Sequence, residues 1–227
     1  MIPWVHLDTA TVPGGGGELK LMQRGHEFSI MSGSIELMNS RLSDSEQALA
    51  RLASERIGER PKPRVLIGGL GMGFTLRAAL ESFGPRAEIV VAELVPAVLT
   101  WAKGPLAGLY GDSLSDKRTD VQIADVADLI DSPPGSWDAI LLDVDNGPQG
   151  LSRSGNDSLY SARGLGVAKK SLRPGGVLGV WSSSTDHGFT NRLKRSGFDT
   201  KEIMVRAHNG RGARHTVWIA ATSGGGA

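Results

Sequence analysis

The sequence predicts an α/β protein with a doubly wound, mostly parallel sheet of about seven strands that closes in an antiparallel hairpin. Three observations predict it. Five short apolar runs lack the polar alternation of a half-exposed strand, so each reads as a strand buried on both faces. Segments of helical character lie between them, and strand–helix alternation makes a parallel sheet. Two longer β-like stretches, over 201–208 and 215–221, flank the turn dipeptide Asn209-Gly210.

The elements follow in chain order. Glycine runs at 14–17 and 224–226 read as flexible margins. Short β-like stretches at 18–22, 27–30 and 35–38, broken by Gly25 and by Ser32-Gly33, predict a small antiparallel hairpin or meander. Ser43-Asp44-Ser45-Glu46 fits a capping box, in which the hydroxyl and the Glu carboxylate each satisfy a free helix N–H. Ala48, Leu49, Leu52, Ala53 and Ile57 follow at helical spacing and predict a helix over about 44–58. Pro61-Lys62-Pro63 divides the chain into an N-terminal extension over 1–60 and a larger domain over 61–227. In the larger domain the strands are centred on Val65-Leu66-Ile67, Ile89-Val90-Val91, Val121-Gln122-Ile123, 139–142 and 177–180. Helices are expected over 75–83, 96–109, 126–130 and 161–172.

Composition removes several classes. The 31 glycines are about 14% of the chain, roughly twice the usual share, but without a three-residue period they do not make a collagen. Hydrophobic residues at 40% and charged residues at 22% describe a globular chain rather than a disordered one. The lack of cysteine excludes disulfides, thiolate nucleophiles and Cys-based metal sites, and the five histidines show no metal spacing, so no metal is expected. No run approaches the ~18 apolar residues of a membrane helix, and the N-terminus lacks a signal-peptide layout. The expectation is a cytoplasmic protein with no membrane partner. A net charge of +1 argues against nucleic acid as the main partner.

In open sheets of this Rossmann-like kind, ligands bind at the carboxyl ends of the strands. The first strand of the larger domain ends in Gly68-Gly69-Leu70-Gly71-Met72-Gly73. The next three close on Glu93, Asp125, and Asp143 with Asp145; the fifth ends at Trp181. Three successive strands ending in carboxylates on one rim are hard to assign to folding needs. The glycine spacing is GxGxG, with Phe74 where the dinucleotide fingerprint continues, so a nicotinamide or flavin is disfavoured. No GK[ST] follows, which excludes a P-loop. What remains is a tight turn that lets a ligand approach backbone with no Cβ in the way. Glu93 lies 20 residues beyond Gly73, where an acidic side chain accepts from both ribose hydroxyls. Together these describe a nucleoside pocket. The stretch 144–159, rich in Gly, Ser and Asn, is long for a strand–helix connection and reads as a lid over a second substrate.

Other candidates have plainer readings. Arg206, His208, Arg211, Arg214 and His215 form a basic hairpin that can meet an anionic substrate, an acidic partner or RNA, but the near-neutral chain favours a solvated turn. Asp186-His187 has the chemistry of an acid/base pair, but sequence neighbours rarely face one another. Trp4, Trp101, Trp137 and Trp218 read as packing; Trp181 alone has a rim position.

The segments VLIGGLGMGFTLRAALE, VVAELVP, IADVADLI, WDAILLDVDNGP and LRPGGVL, in that order, resemble the spermidine synthases. These are polyamine aminopropyltransferases on the class I S-adenosylmethionine methyltransferase fold. The resemblance runs from Pro63 to about Ala221 and, more weakly, over the leading hairpin and helix. It implies a transferase of polyamine biosynthesis that uses decarboxylated S-adenosylmethionine, or S-adenosylmethionine itself, as group donor. A small-molecule amine or another small acceptor would be the partner, and the chain would be a homodimer. Gly69, Gly71, Met72 and Gly73 would form the nucleoside turn. Glu93, followed by Leu94, would hold the ribose, and Asp125 with Val126 would read the adenine amino group. Asp143, with Asp145 beside it, would help deprotonate the attacking amine, and Tyr160 would close the polyamine side. Proton removal before attack on a carbon next to a sulfonium suits a carboxylate.

Three departures matter. Met72 stands where the family's glycine loop has an Asp that holds the aminopropyl ammonium. Asp145 follows Asp143 by two residues rather than three, and Trp181 replaces a Gln found in many relatives. Each change removes polarity from the acceptor pocket. A methyltransferase on an unknown small molecule, and a non-catalytic nucleoside-binding protein, therefore remain as alternative readings.

Overall fold

The computed structural model describes residues 2–144, 147, 148, 157–208 and 211–224. Four antiparallel strands come first: β1 (Val5–Thr11), β2 (Glu18–Arg24), β3 (Glu27–Ser32) and β4 (Ile35–Asn39), paired in chain order. The expected meander is thus extended by one strand. Six of the seven residues of β1, all but the buried Ala10, are solvent-facing, and its apolar content is too sparse to read as a strand in advance. The glycines at 14–17 are not a loose margin. They turn the chain between β1 and β2, with Val12 N donating to Gly17 O at 2.9 Å.

Helix α1 (Asp44–Ile57) buries Ala48, Leu49, Ala50 and Ala53. It packs on α2 (Phe74–Ser82) and on the far strands of the large sheet. That sheet contains β5 (Arg64–Gly68), β6 (Glu88–Glu93), β7 (Thr119–Ile123), β8 (Trp137–Leu142), β9 (Leu172–Ser182), β10 (Asp199–His208) and β11 (Arg211–Ala221). The order is β10-β11-β9-β8-β5-β6-β7, with the five strands from β9 to β7 parallel and β11 and β10 antiparallel. The seven-stranded Rossmann-like sheet and its C-terminal hairpin are as expected. Val65, Leu66 and Ile67 of β5, and Ala139, Ile140 and Leu141 of β8, have no exposed surface, as central strands covered on both faces require.

The crossover segments are α3 (Pro96–Lys103), α4 (Ala107–Tyr110), α5 (Val126–Ile130), α6 (Asp157–Tyr160), α7 (Ala162–Ser171) and α8 (His187–Arg195). The single helix expected over 96–109 is two, because Gly104 and Pro105 interrupt it. Helix α8 had no counterpart in the sequence reading. Only Phe189 and Leu193 anchor it, among Arg and Lys side chains.

Chain reversal puts the site at one place. β5 lies between β8 and β6, so the segments leaving β5 and β8 diverge from adjacent strands at the topological switch point. Asp143 N donates to Gly68 O at 3.0 Å, which sets the glycine turn beside the strand-four carboxylate. At the opposite rim, buried Asp138 binds Arg60 at 2.6 Å, Arg173 at 2.7 Å and Arg64 N at 2.7 Å, stapling the starts of β5, β8 and β9.

Candidate functional site

Two cavities meet at the switch point. The first, of about 140 Å³, lies between the strand ends and the small sheet. Val12, Leu19, Ile30 and Val98 give it apolar walls, while Gly69, Gly71, Glu93 and Asp125 supply backbone and carboxylate edges. Leu94 and Val126 line it too. A flat apolar body with polar edges fits such a space, and a nucleoside has that form.

The glycine turn is shaped by its neighbours. Gly69, Gly71 and Gly73 all have positive φ, a region that favours glycine. A Cβ on Gly69 would strike the Asp143 carbonyl, and one on Gly73 would enter the ring of Tyr110. The Tyr110 hydroxyl donates to Gly71 O at 2.7 Å and braces the turn from α4. Burial and the nearby Glu93 charge push the Tyr110 phenol up, so it stays a donor.

Glu93 is 7% exposed, and its two oxygens are held by backbone. Leu70 N donates to Oε2 at 2.9 Å and Val95 N donates to Oε1 at 2.8 Å. Burial pushes its carboxyl up against the pull of these N–H groups. The N–H groups of Gly71 and Leu94 pull on the same carboxyl, which lines the cavity. Asp125 caps α5, its Oδ1 accepting from Ala127 N at 2.9 Å. The capping role and a place on the cavity wall belong to one side chain.

The second cavity, of about 40 Å³, is lined by Met38, Glu46, Gly71, Met72, Asp143 and Trp181 among others. Asp143, Met38, Leu37 and Gly71 line both cavities, so these residues form the seam between them. Thr75 Oγ1 donates to Asp143 Oδ2 at 2.5 Å. Even so, burial raises the Asp143 carboxyl to about 6. Glu46 is raised to about 7, first by burial and then by the Asp143 charge, while a hydrogen bond from Ser45 opposes both. The two carboxylates interact closely enough that their titration belongs to the pair.

The sequence-predicted residues separate into groups. Gly69, Gly71, Glu93, Leu94, Asp125, Val126 and Asp143 come together around the first cavity. Met72 and Gly73 line the second instead. Tyr160 lines neither. Its ring packs edge-on against Phe189 at 5.6 Å, in the apolar layer beneath α7 and α8. Asp145 and most of the expected lid lie outside the described residues. Asp186 caps α8, its Oδ1 accepting from Phe189 N at 3.0 Å, and this replaces the acid/base reading of Asp186-His187.

Sequence reasoning passed over Glu46. The capping box misled it: Ser43 makes no side-chain cap bond, its hydroxyl accepts from Gln47 Nε2 at 2.8 Å, and the Glu46 carboxylate reaches the second cavity. His215 is not simply part of a solvated hairpin: its Nδ1 lies 2.8 Å from Ser45 Oγ. Among the described residues no group of three or more His, Asp or Glu side chains can hold a metal ion. No described helix is long and apolar enough to cross a membrane.

No family model matches the chain. It is 33% identical over 124 residues to a polyamine aminopropyltransferase of Mycobacterium tuberculosis, a match covering 53% of this chain and 23% of the relative. A polyamine aminopropyltransferase of Saccharolobus islandicus is 28% identical over 149 residues, covering 65% of this chain and 48% of the relative. The chain thus spans half or less of the length of these curated relatives. Among solved structures, the spermidine synthase of Thermotoga maritima superposes with a TM-score of 0.75 at 15% identity, over 96% of this chain and 73% of its own. A spermidine synthase in complex with the transition-state analogue AdoDATO superposes at 0.74 and 16% identity, over 96% and 72%. The fold is therefore the spermidine synthase fold.

Proposed function

We propose that the chain is a transferase that moves an aminopropyl group from decarboxylated S-adenosylmethionine to a small amine. One observation carries this reading: Asp143 lines both cavities, so a donor in the first and an acceptor in the second would meet at a carboxylate. The aminopropyltransferase relatives and the complex with AdoDATO support it.

The residues of the first cavity suit the donor's nucleoside. Glu93 would accept from the ribose hydroxyls, Asp125 would accept from the adenine amino group, and Val126 and Val98 would cover the base. The bound donor supplies a sulfonium whose adjacent carbon is open to attack. Asp143 would hold the acceptor ammonium and take its proton, freeing the lone pair. Thr75 keeps that carboxylate aimed, and Leu37 and Met38 of the small sheet cover the seam from water. Residues 1–60 would thus close a pocket whose floor belongs to 61–227. Exposed Ile2, Val5, Leu7 and Ile35 support a homodimer across the small sheet.

Met72 favours one second reading. A thioether beside the second cavity suits an apolar acceptor of a methyl group from S-adenosylmethionine. Melting curves with S-adenosylmethionine, its decarboxylated form, methylthioadenosine and S-adenosylhomocysteine test the pocket. At 100-fold excess over Kd a true ligand adds about 2.7 kcal/mol. Mass spectrometry after incubation with an amine panel separates the reactions. Methylthioadenosine is the expected product, S-adenosylhomocysteine marks the methyltransferase, and no thermal response to any of the four overturns the nucleoside pocket.

A further inference from the structure

We propose that Glu46 is the amine-binding carboxylate of the second cavity: with Asp143 it holds one proton while no amine is bound, and it trades that proton for the ammonium group of a compact amine. The fate of the amine afterwards rests on the aminopropyl-transfer reading.

The position of Glu46 is the first ground. It stands at the start of α1, where a Glu ordinarily turns back to cap the helix, but its carboxylate lines the cavity with Asp143 and Met72. Thr75 sets Asp143 beside the start of α1, its Oγ1 lying 2.5 Å from Asp143 Oδ2 and 3.4 Å from the main-chain carbonyl oxygen of Glu46. Met72, on the glycine turn, brings no charge to this wall; Glu46 brings one from α1.

The missing counter-charge is the second ground. Among the described residues no Lys or Arg acts on either carboxylate; Asp44 adds a further negative charge near Glu46. Two carboxylates sharing a buried space cannot both ionise cheaply, so the pair keeps a proton until a cation arrives.

Trp181 is independent of both. Its side chain is 7% exposed and lines the same cavity, and its Nε1–H has no acceptor among the described residues. Buried donors are almost always satisfied, so this one marks the place of a ligand lone pair. A diamine with one neutral nitrogen, or an amino alcohol, meets both needs. Its ammonium lies with the carboxylates and its second heteroatom accepts from the indole.

Ser45 and His215 are positioning residues for Glu46. Ser45 is fully buried, with Oγ 2.5 Å from Glu46 Oε2 and 2.8 Å from His215 Nδ1. While Glu46 is charged, Ser45 donates to it and accepts from Nδ1–H. Once Glu46 is protonated it donates to Ser45, which donates to Nδ1. Both charge states keep both bonds. Burial pushes the His215 ring down, favouring the neutral form that can play either part, and its contact with Trp181 at 4.9 Å seats it behind the cavity wall.

The proton balance is simple. Entry of R–NH3+ breaks one carboxylic O–H bond and releases that proton to solvent; a diamine also gives up the proton of its second ammonium. In the transfer step the ammonium proton passes to the pair, the N–C bond forms and the C–S bond breaks.

Calorimetry tests this on the full chain. Putrescine, 1,3-diaminopropane and 3-aminopropanol are titrated with and without saturating methylthioadenosine, in buffers of different ionisation enthalpy. The expected result at pH 6 is release of close to one proton per 3-aminopropanol, falling toward none by pH 8.5, and about one proton more for each diamine, whose second ammonium must deprotonate to accept from the indole. Glu46→Gln should weaken amine binding at least tenfold and at least halve the release from 3-aminopropanol at pH 6, leaving only what Asp143 contributes, with methylthioadenosine affinity unchanged. Ser45→Ala, a milder change, should move the pH of half-release upward, because its hydroxyl favours the charged form. Amine binding that releases no proton, wild-type behaviour in Glu46→Gln, or an unmoved pH profile in Ser45→Ala overturns the proposal. Absent methylthioadenosine binding counts against the transfer reading alone, since the amine arm is also run without it.

Discussion

Gly69 and Asp143 meet backbone to backbone: the space a Gly69 Cβ would need is filled by the carbonyl of Asp143, and φ at Gly69 is +92°. The glycine turn and the strand-four carboxylate are therefore one unit. Gly69→Ala must shift both, and the combined strain and overpacking should cost about 2 kcal/mol or more. In a chain of this length that lowers Tm by roughly 4–8 °C. Gly108→Ala in α4, where a Cβ meets nothing within 4 Å, is the control and should leave Tm unchanged or raise it. Equal melting of the two variants would show the turn to be looser than described.

Asp143→Asn separates binding from chemistry. The amide keeps the shape and can still meet Thr75 Oγ1, but it cannot take a proton from an ammonium. Turnover should fall by about 10²- to 10⁴-fold, the range of a lost general base. Stabilisation by methylthioadenosine should persist, because Glu93 ends β6 and Asp125 caps α5, apart from Asp143. Unchanged turnover, measured under saturating donor, would remove Asp143 from the mechanism.

Glu93 has two duties that one substitution separates poorly, so its prediction has two readouts. Glu93→Gln turns one acceptor oxygen into an amide NH2 that faces a backbone donor, either Leu70 N or Val95 N. The lost bond should cost about 1–3 kcal/mol of stability in a melt. Nucleoside affinity should also drop by at least tenfold in a titration monitored at constant temperature. A variant that loses stability but binds methylthioadenosine as the parent does would make Glu93 a purely structural brace.

The large sheet was legible because its strands are buried on both faces. Runs such as Val65-Leu66-Ile67 allow no other reading, and the carboxylates at their ends follow from the same count. Legibility failed where one residue type serves two ends. Ser43 to Glu46 has the letters of a capping box, yet Ser43 makes no side-chain cap bond and Glu46 lines the cavity. Local spacing holds no information on what Asp143 and Trp181 bring to the same wall from distant strands. Helix α8 was hidden for a different reason. Two buried residues four apart are too few to set a period, and its one clear signal, the Asp186 cap, is shared with ordinary turns.

Stability should fall as pH rises, the reverse of what carboxylates held by salt bridges produce. Burial raises Glu46 from 4.5 to about 7 and Asp143 from 3.8 to about 6. Between about pH 4 and pH 7 the folded chain thus keeps protons that the unfolded chain has released. Stability changes with pH as the protons bound unfolded minus those bound folded, so the slope is negative in this window. The contribution is fully present below about pH 4, is lost as pH climbs through 6 and 7, and is flat above. For Glu46 alone the change is up to about 3 kcal/mol, at 1.36 kcal/mol per unit. Glu46→Gln removes that titration, so wild type should lose several degrees of Tm relative to the variant between pH 5 and pH 8. The pair belongs in the exposed class, and not in a buried cavity, if the two melting profiles run parallel across that range.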